Sequence, residues 1–144
     1  MQRLLVDSGP LVALFDGGDR WHGTVAEFIK GYRGELLTSA ANITEAAWIT
    51  GSVSQKMMSN LLTWLHRGAV AVHNFEADAL RRIAALSAQY QTLRPDFADL
   101  ALLALAERTK VDRVITLDKK DFDVYRLKNG KPLRNMLNLN VRRS

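Results

Sequence analysis

Four acidic side chains stand where the chain leaves or follows its most apolar segments: Asp7, Glu45, Asp99 and Asp118. Asp7 closes the run Arg3-Leu4-Leu5-Val6, and Asp118 follows Val114-Ile115-Thr116-Leu117 directly. Glu45 falls about one and a half turns into the helix expected after Leu36-Leu37-Thr38. Asp99 falls in the first turn of the apolar helix expected over 97–109. Carboxylates gathered with no cation beside them repel one another, and such a cluster persists at low cost only where a divalent cation binds. Oxygen-only ligands suit Mg²⁺ or Mn²⁺ rather than zinc. A cation so held can orient a phosphodiester, activate water and stabilise the leaving oxygen, so no side-chain nucleophile is needed.

Each acid also has a local use. Asp7 can cap the turn that follows it. Asn42-Ile43-Thr44-Glu45 reads as a capping box with Asn42 as N-cap, although Ser39 is a second plausible cap for a helix over about 40–50. Asp96, after Pro95, reads as the N-cap of helix 97–109, and Asp99 at its third position suits the helix dipole. Asp118 and Asp121 flank Lys119-Lys120 and can be solvated turn acids. Taken jointly rather than singly, the arrangement points to a site.

The elements that must position these acids alternate. Short apolar strands are expected at 3–6, 36–38, 69–72 and 114–117, and 122–125 reads as a short fifth element. Helices are expected near 21–30, 40–50, 53–66, 76–89 and 97–109. Strand–helix alternation means βαβ units, a parallel sheet and helices on both faces. In such a sheet, sites form beyond the carboxyl ends of the strands, where the four acids fall.

Other chemistries are excluded early. The chain contains no cysteine, so it has no thiolate nucleophile and no disulfide framework. His22, His66 and His73 are scattered without zinc-ligand spacing. No nucleophile elbow, P-loop or dinucleotide fingerprint is present. Apolar runs fall far short of the about 20 residues a membrane span needs. With 144 residues the reading is one domain over 1–144, soluble and cytoplasmic. The charge is uneven. Residues 126–144 hold six basic side chains and no acid, whereas residues 1–125 hold 14 basic and 15 acidic. Such a basic C-terminal segment is either a solvated tail or a surface for a polyanion.

Four stretches together resemble the PIN domain, and within it the VapC-type toxins of bacterial toxin–antitoxin pairs. They are Leu4-Leu5-Val6-Asp7-Ser8-Gly9, Ile43-Thr44-Glu45-Ala46, the run Asp96-Phe97-Ala98-Asp99 through Ala106, and Val114-Ile115-Thr116-Leu117-Asp118-Lys119-Lys120-Asp121-Phe122. The resemblance implies a Rossmann-like α/β/α sandwich and a Mg²⁺- or Mn²⁺-dependent endoribonuclease. It places Asp7, Glu45, Asp99 and Asp118 on the family's acidic positions. Asp7 and Asp99 would be the main metal ligands, and Asp118 would hold a second metal or a water on the first. Glu45 would complete the shell or act as base. Ser8 and Thr116 would orient the carboxylates as donors, with Asp96 and Asp121 as spare acids. Arg126, Lys128, Lys131 and Arg134 would flank the groove and hold RNA phosphates. The expected partners are an RNA substrate, a cognate antitoxin and a second copy of the chain, with helices 53–66 and 76–89 as contact candidates. The alternative is a PIN fold that binds RNA or protein without chemistry. Receiver-type and haloacid-dehalogenase-like readings fail, because Asp7 has no paired acid at the first strand.

Overall fold

The computed structural model describes residues 2–140. The basic residues Arg142 and Arg143, part of the expected 126–144 segment, lie outside the described residues. The elements in chain order are β1 (Arg3–Val6), α1 (Ser8–Phe15), α2 (His22–Gly31), β2 (Glu35–Ser39), α3 (Ala40–Val53), α4 (Gln55–His66), β3 (Ala71–His73), α5 (Ala79–Gln89), α6 (Phe97–Thr109), β4 (Arg113–Ile115), α7 (Lys119–Phe122) and β5 (Arg134–Asn135). The strands form one sheet in the order β3-β2-β1-β4-β5. Every neighbouring pair is parallel. The expected α/β fold with helices on both faces is thus the observed one.

Side chains of a strand alternate between faces, and the core divides accordingly. Leu4, Val6, Leu36 and Ile115 face a layer with Leu11, Val25, Ala46 and Leu61 from α1 to α4. Leu5, Leu37 and Val114 face the opposite layer, with Ile83 and Leu86 of α5 and Leu102 and Leu103 of α6. Near-continuous apolar runs are the consequence of burial on both faces. Helix α6 carries seven buried residues from Ala98 to Ala106, which fixes the axial position of its first turn and hence of Asp99.

Several boundaries differ from the sequence expectations. Of the two caps expected for α3, Ser39 is the one observed, its hydroxyl accepting from the Asn42 amide. Asn42 is therefore inside the helix and not its N-cap, and the Asn42–Glu45 capping box does not form. The third strand lies at 71–73 rather than 69–72. The fourth ends at Ile115, because the Thr116 peptide is bound by a side chain instead of a strand. The helix expected over 76–89 begins at Ala79. Residues 122–125 are not a fifth strand; Phe122 ends the one-turn α7, and β5 lies later, at Arg134–Asn135. Residues 126–140 are also not a solvated tail. Tyr125, Leu127, Leu133 and Leu137 are buried, and Arg126 and Pro132 form an antiparallel bridge that closes a loop. No described helix is long and apolar enough to cross a membrane.

Candidate active site

Asp7 is buried at the carboxyl end of the central strand β1. It is the N-cap of α1, and its carboxylate accepts from the Ser8 amide at 2.8 Å. Its other oxygen accepts from the Thr116 hydroxyl at 2.7 Å. The Asn42 side-chain amide adds a 3.3 Å contact to Asp7 and donates to the Ser8 hydroxyl at 2.9 Å. A carboxylate offers about four lone-pair sites, so these three donors hold Asp7 in place and leave capacity for a cation. Ser8 thus acts on Asp7 through its backbone amide, while its hydroxyl is an acceptor.

Thr116 couples two acids. Its hydroxyl oxygen accepts from the Asp118 amide at 3.0 Å while its proton goes to Asp7. Asp118 is the N-cap of α7 and accepts from the Asp121 amide at 3.1 Å. Asp99 accepts from the Tyr125 hydroxyl at 3.1 Å. Asp96 occupies the N-cap position of α6 but makes no side-chain capping bond. Glu45 is half-buried on α3, and its charge acts on Asp7.

Electrostatics show these groups as one cluster. Burial pushes the Asp7 carboxyl up to about 6, against the hydrogen bonds from Thr116 and Ser8, with the charges of Glu45 and Asp118 adding to the rise. Burial, and then the charge of Asp7, push Asp99 up to about 8, with Asp118 and Asp96 contributing. Asp118 is also raised, first by burial and then by Asp121 and Asp96, with Lys120 opposing. The Tyr125 phenol is driven far up by burial and by Asp99, so it stays a proton donor to that carboxylate. The ion pairs Arg82–Glu107 and Lys119–Asp123 lie outside the cluster.

A divalent cation fits this donor set. Asp99, Asp118 and Asp121 each bring a carboxylate oxygen within 4.8 Å of the others. Of the expected ligands Asp7, Asp99 and Asp118, the last two fall in this group, and the third member is Asp121, whose backbone N–H donates to the Asp118 carboxylate. All donors are hard oxygens, which match Mg²⁺ or Mn²⁺.

The basic residues expected around this groove are not all brought to it. The Arg126 guanidinium donates to the backbone carbonyls of Asp123 and Tyr125. Lys131 lines a cavity with Glu107 and Lys110, at the far end of α6, whereas Lys128 lines both that cavity and a second one that runs along α6 past Ala101 to Ser39, at the carboxyl end of β2. Eight residues of helix separate Asp99 from Glu107, about 12 Å along the axis. Arg134 pairs with Arg113 at the start of β4, at the amino edge of the sheet.

Sequence reasoning missed Asn42 as a contact of Asp7, because it read as a cap. It missed Tyr125, which read as part of a weak strand. It missed Asn135, whose amide binds the Thr116 peptide. His22 is a packing residue, its Nδ1 hydrogen-bonded to the Ala13 carbonyl at 2.7 Å.

An all-parallel sheet of this order, with four strand- and helix-borne acids at its carboxyl edge, is the architecture of a known class. The chain belongs to the PIN domain family, which it matches over residues 4–127. A ribonuclease named VapC26, from Mycobacterium tuberculosis, is 27% identical over 124 residues, covering 85% of this chain and 92% of the relative. Among solved structures, VapC20 of the same organism, described as a toxin cleaving the sarcin–ricin loop, superposes with a TM-score of 0.76 at 17% identity. That match covers 81% of this chain and 91% of VapC20. A toxin–antitoxin complex from Klebsiella pneumoniae gives 0.62 at 22% identity, over 83% and 89% of the two chains. The structural matches establish the fold.

Proposed function

We propose that this protein is a divalent-cation-dependent endoribonuclease and the toxin of a toxin–antitoxin pair, acting as a single PIN domain over 1–144. The observation that carries the reading is the acidic centre itself: Asp99, Asp118 and Asp121 bring carboxylate oxygens within 4.8 Å of one another, Asp7 and Asp99 are held above the ordinary carboxyl range by burial and neighbouring acids, and among the described residues no lysine or arginine forms an ion pair with them. A site that costs this much in the metal-free state has its purpose in a bound Mg²⁺ or Mn²⁺. The curated relative, a ribonuclease, supports RNA as the substrate.

Asp7 and Asp99 would hold the cation, with Asp118 and Asp121 extending the ligand set. A cation bound there would supply positive charge to a phosphodiester and acidify water. Glu45, half-buried on α3, takes the proton of the attacking water. Ser8, Asn42 and Thr116 keep Asp7 in one orientation, and Tyr125 does so for Asp99. Lys120, whose charge acts on Asp118, and Arg126 steady an RNA phosphate. Lys128, Lys131 and Arg134 attract the polymer at longer range.

Solved neighbours include a toxin–antitoxin complex, which supports a protein partner that silences the site. The apolar surface on α3 and α4 suits protein contact, with an antitoxin or a second copy of the chain. Trp48 is 78% exposed one turn beyond Glu45, Ile49 and Val53 are exposed further along α3, and Leu62 is exposed on α4.

The test incubates wild-type and Asp99→Asn protein with total cellular RNA, with and without Mg²⁺ or Mn²⁺, and maps the ends. Discrete cuts that require both the metal and Asp99 are expected, and they name the substrate. Binding of RNA without metal-dependent cuts would replace the nuclease with a binding module.

A further inference from the structure

We propose that Asn135 is a positioning residue for the acidic centre, acting through Thr116; the functional consequence rests on the metal-dependent reading above. Asn135 reaches the site from β5, the outermost strand. Its side-chain carbonyl accepts from the Thr116 amide at 3.2 Å, and its side-chain amide donates to the Thr116 carbonyl at 3.0 Å. The same carbonyl accepts from the Leu137 amide at 3.2 Å. β4 ends at Ile115, and the backbone pairing of β4 with β5 ends at Val114–Asn135. The Asn135 side chain therefore carries the attachment to β5 past the last backbone pair at Val114 as far as Thr116.

That residue is the one that matters chemically. Thr116 is fully buried, and its hydroxyl has a single proton. The Asp118 amide donates to the hydroxyl oxygen, so the proton is directed to Asp7. Where that hydroxyl points depends on the two peptide planes flanking Thr116. Asn135 holds both of them, one through the N–H and one through the C=O. One amide thus fixes the hydroxyl that orients Asp7 and the point from which Asp118 departs. Groups that orient metal ligands in this way typically govern metal affinity by 10- to 100-fold.

The competing account is that Asn135 merely fastens β5 to the sheet. Leu133 distinguishes the two, because it is buried beside β5 and belongs to the α5–α6 core layer. Leu133→Ala weakens the same segment without touching Thr116. Four proteins are compared with wild type by Mn²⁺ calorimetry, well below their melting temperatures: Asn135→Ala, Thr116→Val, the double variant and Leu133→Ala. The expected result is a loss of Mn²⁺ affinity of about tenfold or more in Asn135→Ala. A similar loss is expected in Thr116→Val, with little further loss in the double variant, because coupled groups are not additive. Leu133→Ala keeps wild-type affinity despite its lower melting temperature. Asn135→Ser, which retains one polar contact, gives an intermediate loss and serves if Asn135→Ala does not fold. Unchanged affinity in Asn135→Ala, additive losses, or an equal loss in Leu133→Ala would overturn the inference.

A second readout does not depend on metal. In metal-free protein, the amide resonances of Ser8 and Asp118 shift in Asn135→Ala and stay in place in Leu133→Ala. If wild type binds no Mn²⁺, the metal-dependent reading fails, while these resonances still decide whether Asn135 sets the geometry around Asp7.

Discussion

Asp99 accepts one protein hydrogen bond, from Tyr125, and sits under the field of three other acids. Its ionised form is a net cost to the metal-free fold. Asp99→Asn should therefore abolish metal-dependent cleavage and yet raise the stability of the metal-free protein at pH 8, by at least about 1 kcal/mol. Urea melts of both proteins in chelator, beside the cleavage assay, check this; a destabilised variant would contradict it. The pH dependence follows from the same carboxyls. Asp7 rises from its ordinary 3.8 to about 6, and Asp99 to about 8. Above pH 4 the metal-free folded state thus retains protons that the unfolded chain has lost, and stability falls as pH rises towards 8. For the buried Asp7 the effect is on the order of 3 kcal/mol. Divalent cation displaces these protons, so Mn²⁺ affinity should climb steeply from pH 6 to 8, with proton release. Calorimetry in two buffers of different ionisation enthalpy measures both, and a flat affinity would refute the assignment.

The strands and helices place the acids with little slack. Helix α6 brings Asp99 to the sheet edge because its buried leucines fill the layer over β1 and β2. Loss of one, such as fully buried Leu102, would loosen the whole first turn. At the other end of the sheet, β1 and β2 enter side by side, and the Glu35 amide donates to the Gln2 carbonyl at 2.8 Å. Gly34 makes that approach possible. A Cβ there would lie 2.5 Å from the Gln2 carbonyl oxygen and would also strike the Tyr32 hydroxyl. Gly34→Ala should cost about 1–3 kcal/mol through this clash. A thermal melt with a midpoint unchanged from wild type would show that the backbone yields instead. Pro10, by contrast, falls in the first turn of α1, where its missing N–H has no helical partner to lose.

The C-terminal segment ties the two levels together. It was readable as a charged tail, and the family match itself stops at residue 127. Leu133 and Leu137 are nonetheless buried, one in each core layer, and β5 closes the sheet beside β4. A chain ending at residue 130 should lose several kcal/mol and fail to hold Mn²⁺, since Asn135 and two core leucines go together. Native-like circular dichroism and metal affinity in that truncation would restore the tail reading. The alternation of short apolar runs with helix-length segments was enough to identify the parallel sheet, since burial on both faces forces near-continuous apolar strands. The acids at the run ends were equally legible, because parallel topology brings strand ends to one edge whatever the loops do. Other features were not. Asn42 and Glu45 match a capping box in spacing, and although Ser39 also read as a cap, the contact of Asn42 with Asp7 spans 35 positions and leaves no local signal. β5 is two residues long with no alternation, so it carries no periodic signal. Tyr125 and Asn135 owe their roles to contacts across 26 and 19 positions of chain. Local pattern therefore determined the elements and the acids, since periodicity and residue chemistry are properties of neighbouring residues. Which hydrogen bonds orient those acids, and which basic residues come near them, was decided by packing, because a hydrogen bond depends on ångström placement that no spacing along the chain encodes.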